Sequence, residues 1–306
     1  MDREFAEPIV SVLMTSYNRE LFIEESIKSV LNSSFKNFEL IIVDDCSTDS
    51  TQVIARKYEL IDKRVKLYIN ENNIGDYPNR NKALSYASGF YIKYLDSDDI
   101  LYSYSLEIMV TQMNQNPTAA IGLLSNNINS YKPFPNLYKS NDILKIHFFK
   151  NGILNCGPSG VIIKKDTLLS IGKFSGKRMV GDIEAWLKIA FEHDVLILPP
   201  SLIFWRQHDN QEYKSGINDN IYLELNYPLI EELFKLETCP LSDYNKSIIL
   251  NYYKKISARS ILKLILIEYK FKKAIYLHNF LKLSFINYFN AIFSPSNTLE
   301  NIYNQI

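Results

Sequence analysis

The 306-residue chain has no run approaching the ~20 consecutive apolar residues of a membrane-spanning helix, so a spanning protein is not expected. Cysteine is scarce. Cys46, Cys156 and Cys239 are widely spaced and odd in number, and no pair has zinc-ligand spacing, which excludes a disulfide framework or a zinc finger and fits a reducing compartment. Charge of one sign is missing too: 34 Lys and Arg balance 34 Asp and Glu, so nothing draws the chain as a whole to nucleic acid. The opening MDREFAEPIV is acidic and lacks the apolar core of a signal peptide, and a cytoplasmic location is expected. Glycine-rich phosphate loops are also absent: there is no G-x-G-x-x-G after the first apolar run and no G-x-x-x-x-G-K-[ST] anywhere. A nucleotide would have to be held another way. Internal repeats and low-complexity segments are absent as well. What is present is ordinary globular material, 46% hydrophobic and 22% charged, long enough for one large domain or two modest ones.

Hydrophobic patterning supplies the elements. Val10 to Met14 and Phe38 to Asp45 are continuous apolar runs ending in polar residues, as buried parallel strands do. Between them Phe22, Ile23, Ser26, Ile27, Val30 and Leu31 share one helical face. Ser47-Thr48-Asp49 opens a second helix, running to about Leu60 with Val53, Ile54 and Tyr58 inward. A strand from Val65 to Asn70, a helix from about Asn79 to Ser88, a helix from Leu101 to Asn116 and a strand from Ala119 to Ser125 follow. Residues 126–156 read as loops with one short helix near 142–149, and a helix is expected after Gly181. This alternation predicts an α/β fold: a Rossmann-like, mostly parallel sheet with helices on both faces. From about Ile217 the pattern becomes all-helical.

The chain is organised around GFYIKYLDSDD, Gly89 to Asp99, a short strand that ends in Asp96, Asp98 and Asp99. Open α/β sheets place ligand sites at the carboxyl ends of their strands. Clustered carboxylates repel unless something positive lies among them, and a hard cation, Mg²⁺ or Mn²⁺, sharing oxygen ligands with a substrate diphosphate would serve. A solvated acidic loop is the plainer alternative.

VSVLMTSYNRE, FELIIVDDCSTD, the Arg80-Asn81-Lys82-Ala83 stretch, YLDSDD and GDIEAWLKIA occur in an order and spacing that resembles the family-two inverting glycosyltransferases over roughly Ile9 to Gln211. The phrasing is most similar to the spore-coat polysaccharide type. The resemblance implies the glycosyltransferase A-type fold and a catalytic domain over 1–216, with a nucleotide-sugar-binding half (1–125) and an acceptor half (126–216), followed by a helical extension (217–306). It implies that Thr15, Tyr17 and Asn18 border the nucleoside, that Asp45 accepts the uracil N3–H and that Arg80 lies near the nucleotide. Asp96 would meet the ribose; Asp98, Asp99 and the late-loop His208 would serve the metal, with the division of labour in the cluster left open. Asp182, at a helix start, would be the base that takes the acceptor hydroxyl's proton, and Glu184 is the weaker candidate. Gly181 departs from the family, where a glutamate often precedes this aspartate. The substrates implied are a nucleotide sugar, expected to be a UDP-sugar, and a hydroxyl of a cell-surface or lipid-linked glycan. A sugar-phosphate nucleotidyltransferase and a catalytically inactive nucleotide-sugar-binding module are the rival readings.

Between Asn245 and Phe289 nine basic residues face a single acid, Glu268, with Tyr, Phe, Ile and Leu interleaved at three- and four-residue spacing. Such helices either lie on an anionic membrane, here the inner face of the cell membrane, or form a hairpin packed on the protein with its lysines solvated. A homo-oligomer is left open.

Overall fold

A computed structural model describes residues 7–125, 132–208, 211, 216 and 220–293. The chain divides into two units: Met1–Lys139 with Leu154–Gln207, and Ser140–Ile153 with His208–Ile306.

The first unit is built on a mixed sheet. Its strands are β1 (Val10–Ser16), β2 (Phe38–Asp44), β3 (Val65–Ile69), β4 (Tyr91–Tyr94), β6 (Ala119–Leu124), β7 (Asn136–Tyr138), β8 (Val161–Lys164) and β9 (Asp194–Leu198), ordered β3-β2-β1-β4-β8-β6-β9-β7. A separate antiparallel pair joins β5 (Ile100–Leu101) to β10 (Ile203–Phe204). The expected parallel half is present: β3, β2, β1 and β4 run together. β8 is antiparallel to both β4 and β6, and so interrupts the parallel order. Every residue of β1, β2 and β6 is buried, which is why these runs carry no alternation, whereas β3 at the sheet edge alternates inward and outward.

Helices α1 (Ile23–Leu31), α2 (Thr51–Ile61), α3 (Asp76–Tyr86), α4 (Ser105–Gln115), α5 (Ser140–Ile146), α6 (Lys165–Ser170) and α7 (Gly181–Glu192) link the strands. α1 buries Ile23, Ser26, Ile27 and Val30, most of the face its spacing predicts. α2 differs: Thr51, Ala55 and Tyr58 face inward, and Val53 is 73% exposed. A period of 3.6 cannot place 53 and 58 on one side once Tyr58 is anchored by its hydroxyl, 2.7 Å from Glu24 Oε1. α3 begins at Asp76, a turn earlier than expected, because Gly75 at φ 89° breaks the preceding loop and Asn79 N–H already bonds the Gly75 carbonyl at 3.0 Å. α4 starts later than expected, since Ile100 and Leu101 are taken up by β10.

β1 lies between β2 and β4, so the chain leaves it in one direction through β2 and β3 and returns on its other side as β4. That reversal opens a crevice at the carboxyl ends of β1 and β4, the place where such sheets hold ligands.

The second unit is helical. Besides α5 and a π-helical turn, His147–Asn151, it contains α8 (Ile221–Leu233), α9 (Asp243–Leu266), α10 (Phe271–Phe280) and α11 (Phe285–Phe293). Ser242 caps α9, its side chain accepting from Asn245 N–H at 3.3 Å. Tyr227, Ala258, Ile261, Leu264, Leu277 and Leu281 form its core. Among the described residues no helix is long and apolar enough to cross a membrane.

Candidate active site

β4 delivers three carboxylates to the crevice: oxygen atoms from Asp96, Asp98 and Asp99 lie within 4.8 Å of one another. A tight turn gathers them, Asp99 N–H bonding the Asp96 carbonyl at 2.9 Å, while Asp96 N–H donates to Ser159 Oγ at 2.9 Å. Three arginines hold the cluster. Arg80 Nη2 sits 2.7 Å from Asp96 Oδ1, and its Nε lies 2.8 Å from Asp76 Oδ1 one helical turn back. Arg19 Nε approaches Asp98 Oδ2 at 3.2 Å. Arg206 donates its backbone N–H to Asp99 Oδ1 at 3.1 Å and its Nε–H to the Asp98 carbonyl at 2.8 Å. Burial, with Asp96 beside it, pushes the Asp99 carboxyl up to about 7. An all-oxygen donor set of this spacing suits a hard divalent cation.

Arg80 is buried, not solvated as a first-turn arginine would be, because the earlier start of α3 places it in the second turn. Its Nη1 has no hydrogen-bond partner although it is buried, leaving a donor available to a ligand oxygen.

Asp182 stands in the first turn of α7, half-buried, with Oδ1 accepting Ile183 N–H at 2.8 Å. Its own N–H donates to Tyr77 Oη at 3.1 Å. Burial raises its carboxyl above the usual range, opposed by backbone hydrogen bonding and by Arg80. Gly181 is explained by Tyr77: a Cβ there would lie 2.9 Å from the tyrosine ring. Asn81 fixes the same corner from α3, with Nδ2 donating to the Phe174 carbonyl at 2.8 Å and Oδ1 accepting Phe174 N–H at 3.1 Å. Glu184 is buried and committed to Lys188 at 2.7 Å and to Ser175. Trp186 is core, its Nε1–H donating to the Cys156 carbonyl at 2.7 Å.

At the end of β1 Thr15 is buried and Tyr17 is 45% exposed. Asn18, at φ 50°, accepts Thr48 N–H at 2.9 Å and so ties the β1 turn to the loop after β2. Asp44 is a structural cap, accepting Ser47 N–H at 2.8 Å and Gln52 Nε2–H at 2.8 Å. Asp45 is buried and accepts Gly75 N–H at 2.8 Å, Ile74 N–H at 2.9 Å and Asn70 Nδ2–H at 2.7 Å. Three donors leave one of the carboxylate's four acceptor sites open. His208 belongs to the second unit, where its N–H donates to Gln211 Oε1 at 3.3 Å. Arg19 and Arg206 at the acid cluster had a sequence signal, the polar turn closing β1 and the R-x-H loop, but basic residues in loops look solvated without the partner they reach.

Residues 11–171 match the model of glycosyl transferase family 2. A 93-residue stretch is 50% identical to the Bacillus subtilis glycosyltransferase TuaG, covering 30% of this chain and 37% of that protein. Over 225 residues the chain is 33% identical to the Escherichia coli UDP-Glc:alpha-D-GlcNAc-diphosphoundecaprenol beta-1,3-glucosyltransferase WfgD, covering 71% of this chain and 82% of that one. The fold is similar to that of the mannosyltransferase PcManGT from Pyrobaculum calidifontis, solved with GDP-Man and Mn²⁺, at a TM-score of 0.62 and 15% identity over 98% of this chain and 88% of that one.

Proposed function

The chain belongs to glycosyl transferase family 2, and on that premise we propose that it moves a sugar, with inversion, from a UDP-sugar to a hydroxyl of a lipid-linked glycan at the inner face of the cell membrane. The observation that carries the reading is the double role of α3. Arg80 binds Asp96 of the acid cluster, and Tyr77, one turn earlier, binds the backbone of Asp182, so one helix fixes the donor side and the base together. The UDP donor and the diphosphate-linked lipid acceptor follow the name of the similar Escherichia coli enzyme.

In this reading Asp182 takes the acceptor hydroxyl's proton as its oxygen bonds the anomeric carbon. The bond from that carbon to the diphosphate breaks on the opposite face, its electron pair leaving with the nucleotide. Thr15, Tyr17 and Asn18 line the nucleoside, Asp96 meets the ribose, and Asp45 shapes the loop beside the base. Arg80 Nη1 offers its buried donor to a diphosphate oxygen. A Mn²⁺ or Mg²⁺ ion held by Asp98 and Asp99 would offset the charge of the departing diphosphate. The inverting transition state has oxocarbenium character, so positioning and electrostatics supply most of the rate.

The test is a panel of nucleotide sugars in a thermal-shift assay, followed by transfer to an undecaprenyl-diphosphate-linked sugar with Mn²⁺ or with EDTA. A UDP-sugar should raise the melting temperature and support metal-dependent transfer. Stabilisation by no nucleotide sugar would overturn the reading.

A further inference from the structure

The last two helices of the second unit carry large side chains turned outward. α10 and α11 bury Ala274, Leu277 and Ala291 in the unit's core. Ile275, Tyr276 and Phe280 of α10 and Phe285, Phe289 and Ile292 of α11 are exposed, Phe285 by 82%. Tyr276 and Phe280 are four residues apart and Phe285, Phe289 and Ile292 four and three apart, so each of these groups shares one side of its helix, with Ile275 flanking Tyr276. The two helices are tied together by His278 Nδ1 and Tyr288 Oη, 3.0 Å apart. Exposed apolar surface on this scale marks a binding face.

Charge identifies the occupant. From Phe271 to Phe293 there are three lysines, Lys272, Lys273 and Lys282, and no acid. The preceding acid, Glu268, is engaged by Lys270 at 2.8 Å and Lys263 at 3.6 Å. Lys272 and Lys282 are exposed within the same stretch of chain. The long helix α9, by contrast, spends three of its five cations internally: Lys254 lies over the Tyr227 ring at 5.3 Å, Lys255 is buried, and Arg259 Nε–H donates to the Ala291 carbonyl at 2.8 Å. A second copy of the chain would bring two basic, acid-free faces together, so the face suits an anionic partner.

We propose that α10 and α11 dock this enzyme on an anionic lipid bilayer, their outward aromatic side chains entering the headgroup boundary while Lys272 and Lys282 meet lipid phosphates. The sequence expectation placed the contact along 245–289; the structure moves it to the last two helices. The proposal takes only its purpose, access to a lipid-linked acceptor, from the reaction above, and its test involves no turnover.

The full chain is sedimented with phosphatidylcholine vesicles with and without phosphatidylglycerol, at low and high salt. Binding should require the anionic lipid and weaken with salt. Lys272→Glu with Lys282→Glu should reduce partitioning by about fivefold or more per charge, and Phe285→Ser with Phe289→Ser should lower it by at least about tenfold. Unchanged melting curves and an unchanged donor-induced thermal shift show that both variants are folded. Absence of anionic-vesicle binding at low salt, or equal binding by the variants, overturns the proposal. So does a concentration-dependent dimer that Phe285→Ser with Phe289→Ser dissolves while vesicles are ignored, which would assign the face to a second copy. Lost vesicle binding with the donor shift intact refutes the docking face alone, and the converse refutes the reaction alone.

Discussion

The proposed base, Asp182, would have to be neither too acidic nor already neutral, and opposing groups act on its carboxyl. Burial raises its pKa, while backbone hydrogen bonding and Arg80 pull the other way. Asp182→Asn removes the proton acceptor but keeps the shape and the Tyr77 bond to its N–H. Transfer should fall by roughly 10²–10⁴-fold while the donor-induced thermal shift is retained. Asp99 makes a second claim. Its carboxyl, held up to about 7, keeps its proton in the folded protein where an unfolded chain would have released it near 3.8. The stabilisation this gives is full below the unfolded value and is lost as pH rises to about 7. A cation must displace that proton, so calorimetric Mn²⁺ affinity should rise up to about tenfold per pH unit from 5.5 toward 7 and then level off. Asp99→Asn should flatten that profile. The acids themselves were legible in the sequence because three in four positions after an apolar strand are unusual. Arg19 and Arg206 were not, since an arginine's partner lies far along the chain, 79 residues away in the pair Arg19–Asp98.

At the scale of elements, the long buried strands were read well, the short strands β5 and β7 were missed, and helix starts were read less well, for a definable reason. A run buried on both faces, such as β2, announces itself by the absence of polar residues. A helix start depends on which distant group satisfies the open N–H donors, and here the loop before α3 is clamped by Asp45, which no local pattern reveals. The clamp also explains why Arg80 is buried where a first-turn arginine would be exposed. The corner between α3 and α7 is equally exacting. Gly181→Ala would press a methyl group onto the Tyr77 ring, 2.9 Å from the nearest ring atom, and should cost about 1–3 kcal/mol in urea denaturation. Tyr77→Leu in the same chain should make the cost less than additive, because the two residues share one space. Additive losses would show that Gly181 is required by its backbone and not by its neighbour.

For the molecule as a whole, composition and alternation gave the class of the fold and the helical character of the C-terminal third, but not the division of the chain into units. The helical unit also claims Ser140–Ile153, a segment inside the sequence of the first unit. Continuous windows cannot show this, because the assignment rests on contacts such as that of Phe148 with Phe234, rings edge-on at 5.3 Å. Ending the chain after Gln207 should therefore leave Phe148 and Phe149 without their unit, and size-exclusion chromatography should show aggregate where the full chain runs as a discrete species. A soluble, well-behaved truncation would mean that the insertion is supported from elsewhere. The same interruption sets an order of events on the ribosome. Phe148 emerges long before Phe234, and at about 5–20 residues per second the inserted segment waits several seconds for its partner. For that interval the nascent chain carries a greasy loop with nowhere to settle, a natural handhold for a chaperone.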